Sequence, residues 1–430
     1  MHSPALQFAT IIEVDNVRCA LASDHGRKRW SGMAGARGSH TDVRTPWVVD
    51  AARTPFGSAR GALSNVRADD LAALPIVDLI GRHPGLDLAR VDDVVWGNAN
   101  GAGEDNRNIA RMAALLAGLP ETVPGVSVNR LCGSGAEAVL AGVRLVAAGD
   151  ADVVIAGGSE SMSRAPYVLP PVDAAFPRTL DLVPTTVGWR MVNPRFPAPW
   201  VESLGRSAEL VSEEKGVERL EQDEWALRSH ELAASAWAGG LHDGFAMSYA
   251  GLERDEPIRA ADPAALAGLR PAFSPHGSVT AGNSSPVSDG AVAALIAGGD
   301  LARGLGVEPL GRVLASAVVG VAPDRFAIAP VGAIGRALDR AGRSLADVRV
   351  LELNEAFSAV VLSCLRELPE IPADRVNPFG GAIAMGHPLG GSAARIVVDC
   401  LRHVRRLGGG IGVAAACIGV GQGIAIVVEA

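Results

Sequence analysis

Two hydrophobic periods alternate along the chain. Short apolar runs rich in β-branched residues recur at Pro46 to Ala52, Val91 to Trp96, Val123 to Val128 and Asp152 to Ala156. Between them apolar positions return at helical spacing, over Asp69 to Ile80, over Asn106 to Ala117, and at Val139, Val143 and Val146 in the run that ends near Ala148. Strands alternating with helices of this length predict βαβ units and a mostly parallel sheet. From Ser161 to Asn283 the period breaks into Pro-rich and charged pieces, with one helical stretch from Leu220 to Trp237. So long an excursion predicts an inserted subdomain that caps something. The pattern resumes at Gly290 and repeats in outline: a strand at Val348 to Leu353, a helix, a Gly-rich turn, a helix at Ser392 to Val404 and a strand at Ile411 to Ala416. Two similar α/β halves would bring their loops to a common face, where ligands bind beyond the strand ends.

The expected organisation is therefore a first half over residues 45–160 and 284–310, an inserted loop subdomain over 161–283, and a second half over 311–430. Residues 1–44 show no sustained period; the basic cluster Arg27-Lys28-Arg29 and the Gly/Ser-rich stretch Ser31 to Ser39 read as a disordered extension. Glu13, Asp15 and Asp24 dilute the acid-poor bias of a transit peptide.

Composition narrows the class. Hydrophobic residues are 48% and charged residues 20% of 430, with 51 Gly, which is globular and not disordered. A net charge of -8 gives no bulk attraction to nucleic acid or anionic lipid, so an anionic ligand must be met locally. The five cysteines, Cys19, Cys132, Cys364, Cys400 and Cys417, are scattered and odd in number, which argues against a disulfide framework or a zinc site and for a reducing, cytoplasmic setting. No run of about 18 apolar residues suggests a membrane span, the start lacks a signal h-region, and the C-terminal residues are not a peroxisomal address.

Candidate chemistry gathers at the turns. Cys132, in Asn129-Arg130-Leu131-Cys132-Gly133-Ser134-Gly135, falls between a strand and a helix, where free amides and the helix dipole are expected to lower its pKa; a small buried core residue is the alternative. The stretch Asn377 to Gly391 packs five glycines within twelve residues around His387, a residue suited to act as a base near neutral pH. Cys417 precedes Gly419-Val420-Gly421, whose amides are suited to an oxyanion. Asn354 closes a strand and is read either as a holder of water or a carbonyl oxygen, or as a helix N-cap. The loop Ala281 to Gly290 is small and polar, suited to an amide-bearing chain. A dinucleotide fingerprint in Gly410 to Gly421 is rejected, since its glycines flank a β-rich segment and no acidic residue follows to hold a ribose.

These motifs, in this order over residues 46–430, resemble the thiolase family: the Cys132 segment, Gly157 to Pro166, Asn354-Glu355-Ala356-Phe357, the His387 loop and the Cys417 loop. Gly103 to Met112, Asn129 to Cys132 and Thr185 to Arg190 are closest to the β-ketoadipyl-CoA branch, which ends aromatic degradation. The resemblance implies a thiolase fold, two βαβ-rich halves layered αβαβα, and an acyltransferase that forms homodimers or homotetramers. It implies that His387 takes the proton of Cys132, that the thiolate attacks a 3-oxoacyl-CoA, and that Cys417 protonates the departing acetyl-CoA carbanion. One oxyanion would rest on the amides of Cys132 and Gly419, the other on His387 and a water held by Asn354. Ser285 matches the residue that contacts the pantetheine arm, and Phe357 belongs with it. Coenzyme A is then a substrate, with no metal or redox cofactor.

The chain departs from the family in the insertion. Only Ala246 to Glu253 separate Phe245 from Arg254-Asp255-Glu256-Pro257-Ile258-Arg259 where a longer basic hairpin is usual, and lysine is reduced to Lys28 and Lys215. Arg254 and Arg259 are the expected phosphate contacts. Ser284-Ser285-Pro286, Tyr167 and Phe326 replace common family residues and would reshape the acyl pocket. The substrate reading is 3-oxoadipyl-CoA, with acetoacetyl-CoA or fatty 3-ketoacyl-CoA thiolysis as alternatives and a weakly catalytic acyl-CoA-binding protein as the rival from another class.

Overall fold

The computed structural model describes residues 44–172, 175–260 and 262–430. The extension read over residues 1–44 lies, but for Arg44, outside the described residues. Its strands are β1 (Pro46–Arg53), β2 (Gly57–Ser58), β3 (Asp93–Gly97), β4 (Gly125–Val128), β5 (Val153–Ser161), β6 (Tyr167–Val168), β7 (Val183–Pro184), β8 (Ser288–Gly298), β9 (Arg312–Gly320), β10 (Val348–Leu353), β11 (Ile411–Ile418) and β12 (Gln422–Glu429). The helices are α1 (Ala68–Arg82), α2 (Ile109–Leu116), α3 (Ser134–Ala148), α4 (Leu204–Glu214), α5 (Arg219–Ala238), α6 (Pro263–Ala267), α7 (Gly299–Gly304), α8 (Ala329–Ala341), α9 (Ser358–Glu367), α10 (Ala382–Met385) and α11 (Leu389–Arg406).

The first sheet runs β1-β8-β5-β3-β4 and the second β10-β11-β12-β9. Both are mixed, which corrects the expectation of a mostly parallel sheet. Strands β3, β4 and β5 run parallel, as do β10 and β11, while β8 lies antiparallel to β5 and β1, and β12 to β11 and β9. A strand that returns beside its predecessor without a crossover helix pairs antiparallel. The series β3-β5-β8-β1 therefore matches β10-β11-β12-β9 in order and sense, a duplication visible in the topology. The step from β11 to β12 is a hairpin through Gly419, Val420 and Gly421, whereas the equivalent step from β5 to β8 takes residues 162–287. The insertion is one expanded hairpin.

Burial explains the layers. In β5, Val154 and Ala156 join an inner core with Val139 and Val143 of α3 and Ile396 and Val397 of α11. Their neighbours Val153 and Ile155 face the other way, toward Leu71 and Ile76 of α1 and Ile109 of α2. Because both faces of the strand are covered, its apolar run is continuous and does not alternate. On the second sheet, Ile334 and Leu338 of α8 and Val361 of α9 cover Leu351 and Val413. Helices α3 and α11 thus lie between two sheets whose far faces carry α1, α2, α8 and α9, giving αβαβα. The middle layer also makes Leu131–Ala148 long and apolar enough to cross a membrane, at mean hydropathy 1.4, which revises the expectation that no such segment exists; most of it is buried inside the fold.

Glycines set how close the central helices come. A Cβ on Gly135 of α3 would lie 2.7 Å from the backbone of Gly390 and Ala394 in α11, and one on Gly158 of β5 would lie 2.1 Å from the Gly390 carbonyl oxygen. That backbone contact draws together the N-terminal ends of α3 and α11, which follow Cys132 and His387.

Candidate active site

Strand β4 ends at Val128, and a single 3-10 turn, Leu131–Gly133, carries the chain into α3. Leu131 takes a φ of 49°, a left-handed conformation that a bulky residue holds only under constraint. The constraint is local. Asn129 Oδ1 accepts from the Leu131 N–H at 2.9 Å, and Ser134 Oγ accepts from the Arg130 N–H at 2.9 Å while donating to the Leu131 carbonyl at 2.6 Å. Asn129 Nδ2 also donates to the Ala99 carbonyl at 2.9 Å, tying the turn to the end of β3.

Cys132 is buried, and the backbone N–H groups of Gly419 and of Cys132 itself point at its sulfur. Loss of solvent nevertheless pushes its thiol up to about 11, against the pull of those amides and with the charge of Glu160 adding to the rise. The expected lowering by the helix end is therefore overturned: the desolvation of a thiolate outweighs two amides. The resting group is a thiol, and to act as a nucleophile it would require a base.

His387 has the protonation state that such a role would require. Burial, reinforced by Arg395, lowers it to about 4, so the imidazole is neutral at pH 7. Its Nδ1 lies 2.7 Å from Ser392 Oγ, whose own proton is directed to the Pro388 carbonyl at 2.8 Å. Ser392 must then accept from Nδ1–H, which leaves Nε2 as the unprotonated, accepting nitrogen. Asn354 Nδ2 faces Nε2 at 3.3 Å. Among the described residues the buried Asn354 Oδ1 has no hydrogen-bond partner, an acceptor available to water or substrate. Asn354 is not a helix cap, because α9 starts at Ser358 with Phe357 at its N-cap.

Cys417, the penultimate residue of β11, is buried and held well above the usual thiol range by desolvation, then by the neighbouring Cys132 and Cys364. It shares an apolar cluster with Val279, Phe326, Ala356, Phe357 and Val360, so Phe326 sits in this wall. Phe357 meets Phe273 edge to face at 5.9 Å. Ser285, half-buried, is pinned through its N–H and its hydroxyl to the Ala356 carbonyl at 3.0 and 3.1 Å, beside the Asn354 turn. Arg259 is exposed and follows Ile258, which packs on Ala384 and Met385 next to the His387 loop. Arg254 is also exposed and lines a cavity with Trp237, Gly251 and Leu252 that includes none of Cys132, Asn354, His387 or Cys417. Tyr167 is likewise exposed.

Three residues escaped the sequence reading. Ser392 orients His387. Glu160 is a buried carboxyl that accepts from the N–H groups of Ala99, Asn100 and Gly390 at 2.9, 3.1 and 3.0 Å, and from Asn98 Nδ2 at 3.3 Å. It clamps the first turn of α11 to the end of β3, and burial raises it to about 7. Glu355 does the same for Asn354, accepting from Trp225 Nε1, Ser229 Oγ, Asn377 Nδ2 and the Ile383 N–H. The one sequence signal was for Glu160, an acidic residue near the end of an otherwise uncharged strand.

Comparison with known proteins agrees with the geometry. A family model described as thiolase, N-terminal domain, matches residues 47–300, and one described as thiolase, C-terminal domain, matches 307–430. A β-ketoadipyl-CoA thiolase of Acinetobacter baylyi is 46% identical over 402 residues, which cover 90% of this chain and 100% of the relative. The 3-oxoadipyl-CoA/3-oxo-5,6-dehydrosuberyl-CoA thiolase of Escherichia coli K12 is 46% identical over 403 residues, with 90% and 100% covered. Human mitochondrial 3-ketoacyl-CoA thiolase, solved in complex with CoA, superposes with a TM-score of 0.84 at 34% identity, covering 91% of this chain and 100% of that one.

Proposed function

The chain belongs to the thiolase family of acyltransferases, and from that premise we propose that it cleaves 3-oxoadipyl-CoA with coenzyme A to succinyl-CoA and acetyl-CoA. The observation that carries the substrate is the end-to-end match, at 46% identity, to relatives named for β-ketoadipyl-CoA.

In this reading His387 Nε2 takes the Cys132 proton once substrate excludes solvent, and the thiolate attacks the 3-keto carbon. The tetrahedral oxyanion collapses, the C2–C3 bond breaks, and the electron pair leaves on the acetyl-CoA fragment, which Cys417 protonates. Burial suits Cys417 to that task, since a thiol held far above 9 keeps its proton until a carbanion asks for it. The succinyl thioester stays on Cys132, its oxygen held by the amides of Cys132 and Gly419, while Asn354 through a water and His387 serve the other oxyanion. Free CoA, deprotonated at Cys417, collects the acyl group. Ser285 and Phe357 flank the pantetheine arm, and Arg259, with Arg254, supplies positive charge for the nucleotide.

Two further expectations belong to this reading. The edge strand β4, with Val126 exposed, supports a homodimer or homotetramer. The described cysteines Cys132, Cys364, Cys400 and Cys417 are all free, which supports a reducing, cytoplasmic setting. Thiolysis of 3-oxoadipyl-CoA beside acetoacetyl-CoA, followed by loss of 3-oxoacyl-CoA absorbance, tests the substrate. Faster loss of the dicarboxylate is expected; faster loss of acetoacetyl-CoA would move the protein to short-chain thiolysis.

A further inference from the structure

Three arginines lie in or are hydrogen-bonded to the loops around the candidate catalytic turns, and two are already neutralised. Arg130 pairs with Glu137 at 2.9 Å and reaches Gln422 at 3.1 Å. Arg395 pairs with Asp399 at 2.5 Å, both of them buried. Arg190 is different. The residue is half-buried, and its guanidinium hydrogen bonds go to one neutral residue: to Asn100 Oδ1 at 2.8 Å and to the Asn100 carbonyl at 3.5 Å. Among the described residues no carboxylate pairs with it. A guanidinium offers five donors in a planar fork and matches a carboxylate through two of them. One held only by amide oxygens has part of its fork left for an anion from outside the protein.

We propose that Arg190 binds the terminal carboxylate of the acyl chain and so selects a dicarboxylate 3-oxoacyl-CoA, an inference that rests on the substrate reading above. Its bracing fits that task. Asn100 holds the loop at both ends, accepting from Arg190 and donating from Nδ2 to Thr185 Oγ1 at 3.0 Å, while Thr185 Oγ1 donates to the Pro166 carbonyl at 2.6 Å. The backbone of Asn100 is tied to Glu160, which also holds Gly390 of the His387 turn. The carbonyl of its neighbour Ala99 is held by Asn129, within the Cys132 turn. Arg190 is thereby fixed to the same small frame as the nucleophile and the base. Two methylenes separate the 3-keto carbon of 3-oxoadipyl-CoA from its carboxylate, so its partner must come from such a frame and not from the distant surface. Asn100 contributes by aiming the guanidinium.

The test measures kcat/KM for 3-oxoadipyl-CoA and acetoacetyl-CoA with wild type, Arg190→Gln and Arg190→Lys. Loss of a charged hydrogen-bond partner predicts that the ratio of the two specificity constants falls tenfold to a hundredfold in Arg190→Gln, mostly through KM for the dicarboxylate. Arg190→Lys should recover part of it, since a point charge lacks the fork. An unchanged ratio, or an equal loss on both substrates, overturns the proposal and leaves Arg190 as a loop brace. Product inhibition separates this failure from failure of the substrate reading. If wild type does not cleave 3-oxoadipyl-CoA, the substrate reading fails, and succinyl-CoA is compared with butyryl-CoA as inhibitor. A preference for succinyl-CoA that Arg190→Gln abolishes supports the carboxylate site, and equal inhibition of wild type by both refutes it.

Discussion

Ser392→Ala isolates the least conspicuous group in the proposed mechanism. Ser392 is fully buried, and its hydroxyl accepts the His387 Nδ1–H at 2.7 Å while spending its own proton on Pro388. Alanine removes that acceptor without adding volume. His387 is then left with two poor states. It can keep the Nδ1 proton, unpaired in a buried site, at a cost of about 1–3 kcal/mol. Or it can move the proton to Nε2, where it no longer serves as a base. Either way the reactive tautomer is disfavoured by that amount, which at 1.4 kcal/mol per decade lowers kcat by about tenfold to a hundredfold. KM should barely move, because Ser392 is fully buried behind His387. Steady-state thiolysis gives both constants, and a thermal melt shifted by no more than a few degrees confirms that the fold is intact. A Ser392→Ala enzyme with wild-type kcat would refute the tautomer assignment, whatever its stability.

Other variants and conditions probe the remaining links. With its thiol pushed up to about 11, free Cys132 should be alkylated by iodoacetamide at a rate that climbs about tenfold per pH unit from 7 to 10; a plateau at or below pH 7 would mean a standing thiolate–imidazolium pair. Glu160 is raised to about 7 in the native state, so its proton stabilises the fold fully below the unfolded value near 4.5, and that contribution fades as pH rises through 7. Urea unfolding of wild type should therefore lose stability between pH 5 and 8 relative to Glu160→Gln, and parallel curves would contradict a carboxyl whose burial outweighs its hydrogen bonds. Gly158→Ala would place a Cβ 2.1 Å from the Gly390 carbonyl oxygen, where only backbone movement relieves it, and should cost about 3 kcal/mol together with most of the activity, seen as a lowered urea midpoint; a silent substitution would show that α11 is free to shift.

What the sequence revealed and what it concealed divide along physical lines. Helices such as α5 and strands such as β10 were legible because burial imposes a period on each: β10 has the expected limits, and α5 extends one residue beyond them at each end. Strand direction was not legible. Nothing in the run Ser288–Gly298 says that it lies between β1 and β5, antiparallel to both, since the connection that would reveal the return is stretched over the insertion. The glycine density around His387 announced a special turn, and Gly158, Gly390 and Gly135 explain it as backbone packed on backbone. The placement of Cys132 before a helix was legible, but its pKa was not, because the balance between desolvation and two amides depends on burial that no local motif encodes. Glu160 was passed over for the same reason: the N–H groups that hold it come from residues 99, 100 and 390, brought together only by the fold.

The central claim is an acyl-enzyme on Cys132, and trapping it is the most direct test. Enzyme mixed with 3-oxoadipyl-CoA in the absence of free CoA, quenched in acid and digested, should carry a succinyl thioester on the peptide containing Cys132, with acetyl-CoA released in equal amount. Acylation at Cys417, or acetyl-CoA release with Cys132 unmodified, would contradict the assigned nucleophile and with it the order of every step that follows.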